Sequence, residues 1–158
     1  MKFGLAGAAA LALWTAPAAA QDWPSVDDWF FTQLEKGCEM WTTYDGAGET
    51  MFSVYQQPDG FTLLGISNTE WSFESGQSYE ATFVLDEIDV LSGTAQGLEV
   101  DGHRGVIAPV TAEVPKQMRD MELIQFFAEE PAVSDVLDVA DSGRAIDQLE
   151  KCVAAVGE

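Results

Sequence analysis

The residues of this chain whose types could do chemistry are many carboxylates, one histidine and two cysteines. The 158-residue sequence holds 27 Asp and Glu against seven Lys and Arg, a formal net charge of −20 at pH 7. Paired carboxylates can serve as the general acid and the base of a hydrolase. No acidic pair stands in a visibly apolar setting that would raise a carboxyl pKa, apart from Glu70 beside Trp71 and Asp86 after Leu85. The sequence therefore predicts a non-enzyme, with a small hydrolase using paired carboxylates as the alternative.

The chain has few residues suited to nucleophilic catalysis or to metal binding. The one imidazole, His103, lies in a Gly-flanked turn, and the sequence has no G-x-S-x-G elbow. A zinc site needs more His and Cys ligands than the chain offers. Calcium prefers carboxylate oxygens, so Asp86, Glu87 and Asp89 are the metal candidates, although they do not match an EF-hand loop. A solvated acidic turn is the preferred interpretation, and no cofactor is predicted.

Two features indicate export. Residues 1–20 combine a basic residue, an apolar run and an Ala-rich end, the pattern of a signal peptide cleaved after Ala20. The apolar run is shorter than the about 20 residues that a spanning helix needs. Cys38 and Cys152 lack metal-ligand spacing in a chain bound for an oxidising compartment, so a disulfide between them is predicted. Residues 21–158 are predicted to form a single secreted domain without a membrane anchor.

The acidic balance restricts the class of partner. Nucleic acids and anionic membranes bind basic patches, which this composition does not supply. A basic protein, a cation or plain solvation of the surface fits the charge better. Exposed aromatic residues surrounded by acidic ones are typical of a protein-binding patch, whereas completing the core is their commoner use. The aromatic residues of the predicted binding surface are Trp29, Phe30, Phe31, Trp71, Phe126 and Phe127.

Hydrophobic periodicity predicts an antiparallel β-meander. In residues 78–87, Tyr79, Ala81, Phe83 and Leu85 share one face, the period of two expected of a half-buried strand. Turn residues separate five to six such segments. The predicted strands are residues 38–44, 49–57, 61–67, 78–87 and 104–110, the last ended by Pro109, with a weaker strand at 88–100.

Three helices are predicted around this sheet. Residues 23–34 carry Pro24 in a first turn, residues 115–128 place apolar residues at helical spacing, and residues 144–156 follow a capping segment. Residues 133–139 alternate partly and could pair at a sheet edge. The predicted fold class is therefore α+β, an antiparallel sheet with an N-terminal helix and two C-terminal helices packed on it.

The layout of Cys38, Trp71 near a central turn, the strand at 79–86 and the closing segment 145–152 resembles small exported two-cysteine proteins of alphaproteobacteria. Among these it is similar to the invasion-associated locus B type. The resemblance implies a periplasmic, β-rich protein of a Gram-negative bacterium without established catalysis. The sequence thus favours a periplasmic or secreted acidic protein that binds a partner, and an inhibitor or chaperone-like binder of a basic cell-wall enzyme is a second hypothesis.

Overall fold

The computed structural model describes residues 21–156, which form one ten-stranded antiparallel sheet and two α-helices. The predicted signal peptide at residues 1–20 lies outside the described residues. The spatial order of the strands is β1-β2-β3-β4-β5-β8-β7-β6-β9-β10. The strands are β1 (Gln21–Val26), β2 (Trp29–Gln33), β3 (Cys38–Gly46), β4 (Gly48–Gln56), β5 (Thr62–Asn68), β6 (Ser78–Leu85), β7 (Asp89–Val100), β8 (His103–Val110), β9 (Leu123–Glu129) and β10 (Ala132–Asp138). The helices are α1 (Glu113–Gln117), a 3-10 turn (Met118–Asp120) and α2 (Ser142–Val156).

One face of the sheet lines the core because the sheet folds back on itself. The hydroxyl of Tyr44 in β3 donates to the carbonyl oxygen of Asp138 in β10 at 2.8 Å. The hydroxyl of Thr50 in β4 donates to Asp135 Oδ2 at 2.6 Å. These strands are far apart in the sheet order, so the bonds join its two halves. The largest fully buried side chains between the halves include Met40, Phe52, Leu64, Ile66, Phe83, Ile124 and Phe126.

The loop at residues 69–77 contributes two aromatic rings to this core. Phe73 is fully buried and packs edge-on against Tyr79, with ring centroids 4.9 Å apart. Trp71 stacks on Phe126 at 5.4 Å. Aromatic pairs in such geometries contribute about 0.5–1.5 kcal/mol beyond the burial of their area. The loop therefore packs into the interior as part of the core.

Helix α2 packs against β1, β2 and β3. Its buried residues recur every three or four positions, so one stripe of the helix meets the sheet. At the end of that stripe Cys152 forms a disulfide with Cys38, with the two Cα atoms 6.0 Å apart. Both the C-terminal helix and the predicted disulfide are confirmed. The buried residues of the stripe are Ser142, Ala145, Ile146, Leu149 and Cys152.

The N-terminal helix predicted for residues 23–34 is wrong, because these residues form the hairpin of β1 and β2. Trp29 and Phe31 are buried while Phe30 between them is exposed, which is the two-residue period of a strand. Asp27 has a φ of 52°, a left-handed conformation that Asp tolerates better than most residues. Burial of large aromatic side chains on a sheet outweighed the helix-capping signals.

The helix predicted for residues 115–128 is also wrong. It is replaced by α1, the 3-10 turn and strand β9. Ile124 and Ala128 are buried in the strand, and they would also share the apolar face of a helix. Their spacing therefore does not distinguish a helix from a strand. Phe126 distinguishes the two structures, because it is buried while its neighbour Phe127 is exposed. This alternation is typical of a strand.

The meander of five to six strands with three helices is therefore corrected to ten strands and two helices. Five strands complete the set beyond the five clearly predicted ones. Strands β1 and β2 replace the helix at residues 23–34 and β9 replaces part of the helix at 115–128, while β7 covers the weak segment at 88–100 and β10 the predicted edge strand at 133–139. Strand β7 runs for twelve residues. Strand β8 continues through Pro109 to Val110, although Pro109 was expected to end it.

The bond from Tyr44 to Asp138 yields a testable prediction. We expect Tyr44→Phe to lower the free energy of unfolding by about 1 kcal/mol at neutral pH, the usual value of one hydrogen bond. Burial, helped by the carboxylates of Asp138 and Asp135, raises the pKa of Tyr44 to about 12. Because this folded-state pKa is raised, the stabilisation is complete below about pH 10 and is lost as the pH rises through about 12.

Urea unfolding at neutral pH, and ultraviolet titration of the tyrosines at alkaline pH, measure the two effects. The variant should lack the titration step near pH 12 that the unmodified protein shows. An unchanged titration curve in the Tyr44→Phe variant would contradict this assignment.

Candidate functional site

The outer face of β7, β6, β9 and β10 carries an exposed apolar patch. The strand register sets Val136, Gln125, Val84 and Val90 side by side across these four strands. Val90 is 61% exposed, Val136 is 56% exposed and Phe127, two positions along β9 from Gln125, is 42% exposed. We call the face defined by Val84, Val90, Phe127 and Val136 the acidic-rimmed face. An apolar surface of this kind on a folded domain is typical of a contact site.

The rim of this face is acidic. The two stretches that form it, residues 78–100 and 122–138, hold no Lys or Arg. The sequence contains no Lys or Arg at all between Lys36 and Arg104. The electrostatic potential there is therefore negative, which attracts cationic groups and repels anionic ones. The carboxylates of the rim are those of Glu80, Asp86, Glu87, Asp89, Glu122, Glu129 and Asp138.

The six aromatic residues of the predicted binding surface do not lie together. Phe30 and Phe127 are exposed, on different parts of the sheet, whereas Phe31 and Phe126 point into the core. Trp29 is buried as well, in edge contact with Phe52, and Trp71 is partly buried against the core. Phe30 stacks on Trp41 with ring centroids 4.6 Å apart. Of this set, only Phe127 belongs to the acidic-rimmed face.

The calcium candidates form the turn between β6 and β7. Asp86 Oδ1 accepts hydrogen bonds from the backbone N–H groups of Glu122 at 2.8 Å and Leu123 at 2.9 Å. The carboxylate of Asp86 thus fastens the start of β9 to the end of β6. Asp86 and Glu87 both have positive φ values, 47° and 61°. Within residues 21–156, no group of three or more His, Cys, Asp or Glu side chains is arranged to hold a metal ion.

A polar cleft of about 650 Å³ opens beside the N-terminal end of α2. Asp27 and Asp28 come from the turn between β1 and β2, and Asp141 precedes the helix. Arg144 pairs with Asp27 at 3.2 Å, so one carboxylate of the cleft is neutralised. Arg119 also lines the cleft, and its guanidinium pairs with two carboxylates of α2. Sequence analysis missed this group, because Asp27 and Asp141 are distant in the chain.

His103 is buried at the start of β8. Its Nε2 lies 3.0 Å from Glu49 Oε1, and its Nδ1 has no hydrogen-bond partner among the described residues. The hydroxyl of Thr69 accepts from the Glu49 N–H and that of Thr50 donates to Asp135 Oδ2, and neither bonds to the imidazole. A catalytic triad needs a nucleophile bonded to the imidazole. No such pair exists in residues 21–156.

Burial raises the pKa of two further side chains on the sheet, away from the cleft. Burial raises the pKa of Glu39, although a hydrogen bond with Ser53 lowers it in part. Burial likewise raises the pKa of Tyr55. These groups lie on β3 and β4, in register with each other. Neither side chain lines the cleft beside α2.

Comparisons of the chain with protein-family models, curated protein sequences and solved structures find no match. No helix in the part of the chain that the structure describes is long and apolar enough to span a membrane.

Proposed function

We propose that this protein is an exported, non-catalytic binding protein that holds a basic protein on its acidic-rimmed face. The observation that carries the proposal is the apolar row of exposed Val90, partly buried Val84 and exposed Val136 with exposed Phe127, on strands whose sequences hold carboxylates and no Lys or Arg. Burial of the apolar row would supply affinity, and the carboxylates would select a partner rich in Lys and Arg.

The disulfide supports the proposed compartment. A disulfide such as Cys38–Cys152 persists in oxidising compartments, which favours the periplasm or the exterior of the cell. The apolar N-terminal sequence at residues 1–20 supports the same location as a signal peptide. The resemblance to the invasion-associated locus B type favours the periplasm of a Gram-negative bacterium. A basic cell-wall enzyme, inhibited or protected by this protein, is the partner class that fits there.

The cleft beside α2 supports a second candidate function, hydrolysis by paired carboxylates. Asp28 and Asp141 line one concave space with Asp27. The ion pair between Asp27 and Arg144 leaves Asp28 and Asp141 for the acid and base roles. This cleft lies at the β1–β2 turn, whereas the acidic-rimmed face lies on β6, β7, β9 and β10, so the two functions are separable by substitution.

The binding proposal predicts the effect of a double substitution on the face. We expect Phe127→Thr with Val136→Thr to weaken capture of a basic partner at least tenfold, because the variant removes apolar area while keeping charge and strand propensity. The tagged, oxidised protein is incubated with a periplasmic extract of its own organism at low and at high salt. Bound proteins are identified by mass spectrometry, and their affinities for both forms are measured.

Phe61→Thr is the matched control, because Phe61 is an equally exposed aromatic residue that lies outside the face. It should bind the partner as the unmodified protein does. Binding should also fall steeply as salt rises, since screening weakens attraction between exposed charges. Equal retention of all captured proteins by the double variant would show that the face is not the binding site.

A further inference from the structure

The sheet is split between β7 and β8. These strands pair only from Gln96 to Val100 on β7 and from His103 to Ile107 on β8. The first half of β7, residues 89–95, pairs with β6 alone, and the last residues of β8 pair with β5 alone. The next residue of β8 that would face β7 is Pro109, which has no N–H to donate. The proline therefore explains where the two strands part.

The split exposes the backbone edge of β7. Gly97 N–H donates to Gln77 and Gly97 C=O accepts from Gly76, so Gly97 faces the β6 side. Backbone groups alternate in direction along a strand of an antiparallel ladder. Val90, Ser92 and Thr94 therefore direct their N–H and C=O groups into the split. Among the described residues, the pairing of β7 with β8 ends at Gln96, so β8 forms no ladder with the backbone of these three.

The split is also a groove with an apolar floor. Ala81 and Phe83 of β6 lie at its base, and Leu91 of β7 lines it as well. Pro109 and Val110 form the opposite wall. The groove has a volume of about 310 Å³. A free strand edge beside an apolar trough is the geometry in which an extended peptide adds a strand to a sheet.

We propose that the split receives an extended segment of the basic partner, which pairs with the free edge of β7. The inference rests on the proposed function and specifies how the partner is held. Five residues of an extended chain, about 14 Å, match the edge from Val90 to Thr94. Alternate side chains of the segment point to the floor at Phe83. A Lys or Arg at one end meets the exposed carboxylates of Glu87 and Asp89, which lie just before Val90.

The charge of the chain selects a partner segment over a second copy of this protein. The turn between β6 and β7 brings the exposed Glu87 and Asp89 to the end of the split beside Val90, whereas the Asp86 carboxylate bonds to the start of β9. Pairing of two β7 edges would place two such turns on one assembly whose subunits each carry a net charge of −20. Like charges at close range oppose that association. A segment with Lys or Arg brings the opposite charge to the same end of the split.

A defined peptide tests the proposal. The probe is the acetylated, amidated sequence Lys-Lys-Val-Thr-Val-Thr-Val-Lys-Lys, and its acidic counterpart has Glu in place of every Lys. We expect the Lys peptide to bind the oxidised protein, and to slow hydrogen exchange at the amides of Val90, Ser92 and Thr94 measured by NMR. The Glu peptide should not bind. Binding of the Lys peptide without slower exchange at those three amides overturns the strand-addition proposal.

A proline substitution supplies the matched pair of variants. Ser92→Pro removes one N–H that faces the split, where a proline is tolerated at a strand edge, and Ser92→Ala keeps that N–H. Affinity for the Lys peptide should fall at least tenfold in Ser92→Pro and stay unchanged in Ser92→Ala. Circular dichroism and thermal unfolding confirm that both variants are folded. Equal affinity in two folded variants overturns the proposal.

The same variants separate this proposal from the proposed function. A basic protein that is captured equally by Ser92→Pro, but lost from the Phe127→Thr, Val136→Thr variant, supports the face and overturns the strand addition. Peptide binding that depends on Ser92, without any basic protein captured from the extract, supports the groove and overturns the proposed function. Self-association that Ser92→Pro abolishes would assign the edge to a second copy and overturn the partner segment.

Discussion

Removing the disulfide by Cys38→Ala with Cys152→Ala is expected to lower the free energy of unfolding by about 4 kcal/mol. The two cysteines are 114 residues apart in the sequence, so the cross-link closes most of the chain into one loop. In the chain-entropy model, a cross-link of this length restricts the unfolded state strongly. Both side chains are fully buried, so Ala keeps the site apolar. This loss is a large part of the free energy of unfolding of a typical domain, which is about 5–15 kcal/mol.

Urea unfolding of the oxidised protein and of the double variant measures this difference. The oxidised protein should also move toward the stability of the variant when a reductant is added, whereas the variant should not respond. A difference below about 1 kcal/mol would mean that the unfolded chain is not restricted by the cross-link as the model requires.

Removal of the aromatic ring of Phe126 from the core is expected to destabilise the protein to a similar extent. We expect Phe126→Ala to lower the free energy of unfolding by about 3–5 kcal/mol, the range for deletion of a buried aromatic side chain. Phe126 is fully buried, stacks on Trp71 and lies 5.1 Å from the ring of Phe83. The substitution leaves a cavity where the loop at residues 69–77 meets β6 and β9. Fluorescence of Trp71 should change because its stacking partner is lost.

The neighbouring residue supplies the control for this prediction. Phe127→Ala removes the same atoms from the same strand, but its ring lies on the outer face. We expect a loss below about 1 kcal/mol, together with weaker partner binding. Equal destabilisation by the two variants would contradict the orientation of β9 on which the acidic-rimmed face depends.

Hydrophobic periodicity in the sequence correctly predicted those strands and helices whose pattern lies within a single element. The alternation in β6 and the amphipathic pattern of α2 each lie within one element, and the structure contains both elements. The disulfide followed from composition and compartment. Residues 23–34 and 118–128 were misassigned, because large apolar residues at mixed spacing satisfy a helix and a strand alike. Tertiary burial of Phe31 and Phe126 decided between them.

The candidate sites depended on register, which no local pattern contains. Val90, Val84 and Val136 meet only because β6, β7, β9 and β10 are neighbours in the sheet. Their positions along the chain do not indicate that they are neighbours. Pro109 was recognised as a strand breaker, but its effect on the distant strand β7 required the topology. Phe30 and Phe127 were selected as aromatic candidates, and the structure places them on separate parts of the sheet.

The path of the chain through the sheet has a consequence for the order of folding. Strands β3, β4 and β5 pair through short turns, as do β6, β7 and β8. The pairing of β5 with β8 instead joins Thr62 to Val110 and must close a long loop, which slows folding. We therefore expect two local groups to form first and to join at this seam. Gly105 lies on the seam, where a side chain would collide with the backbone of Ile66, so its lack of a side chain permits the final docking step.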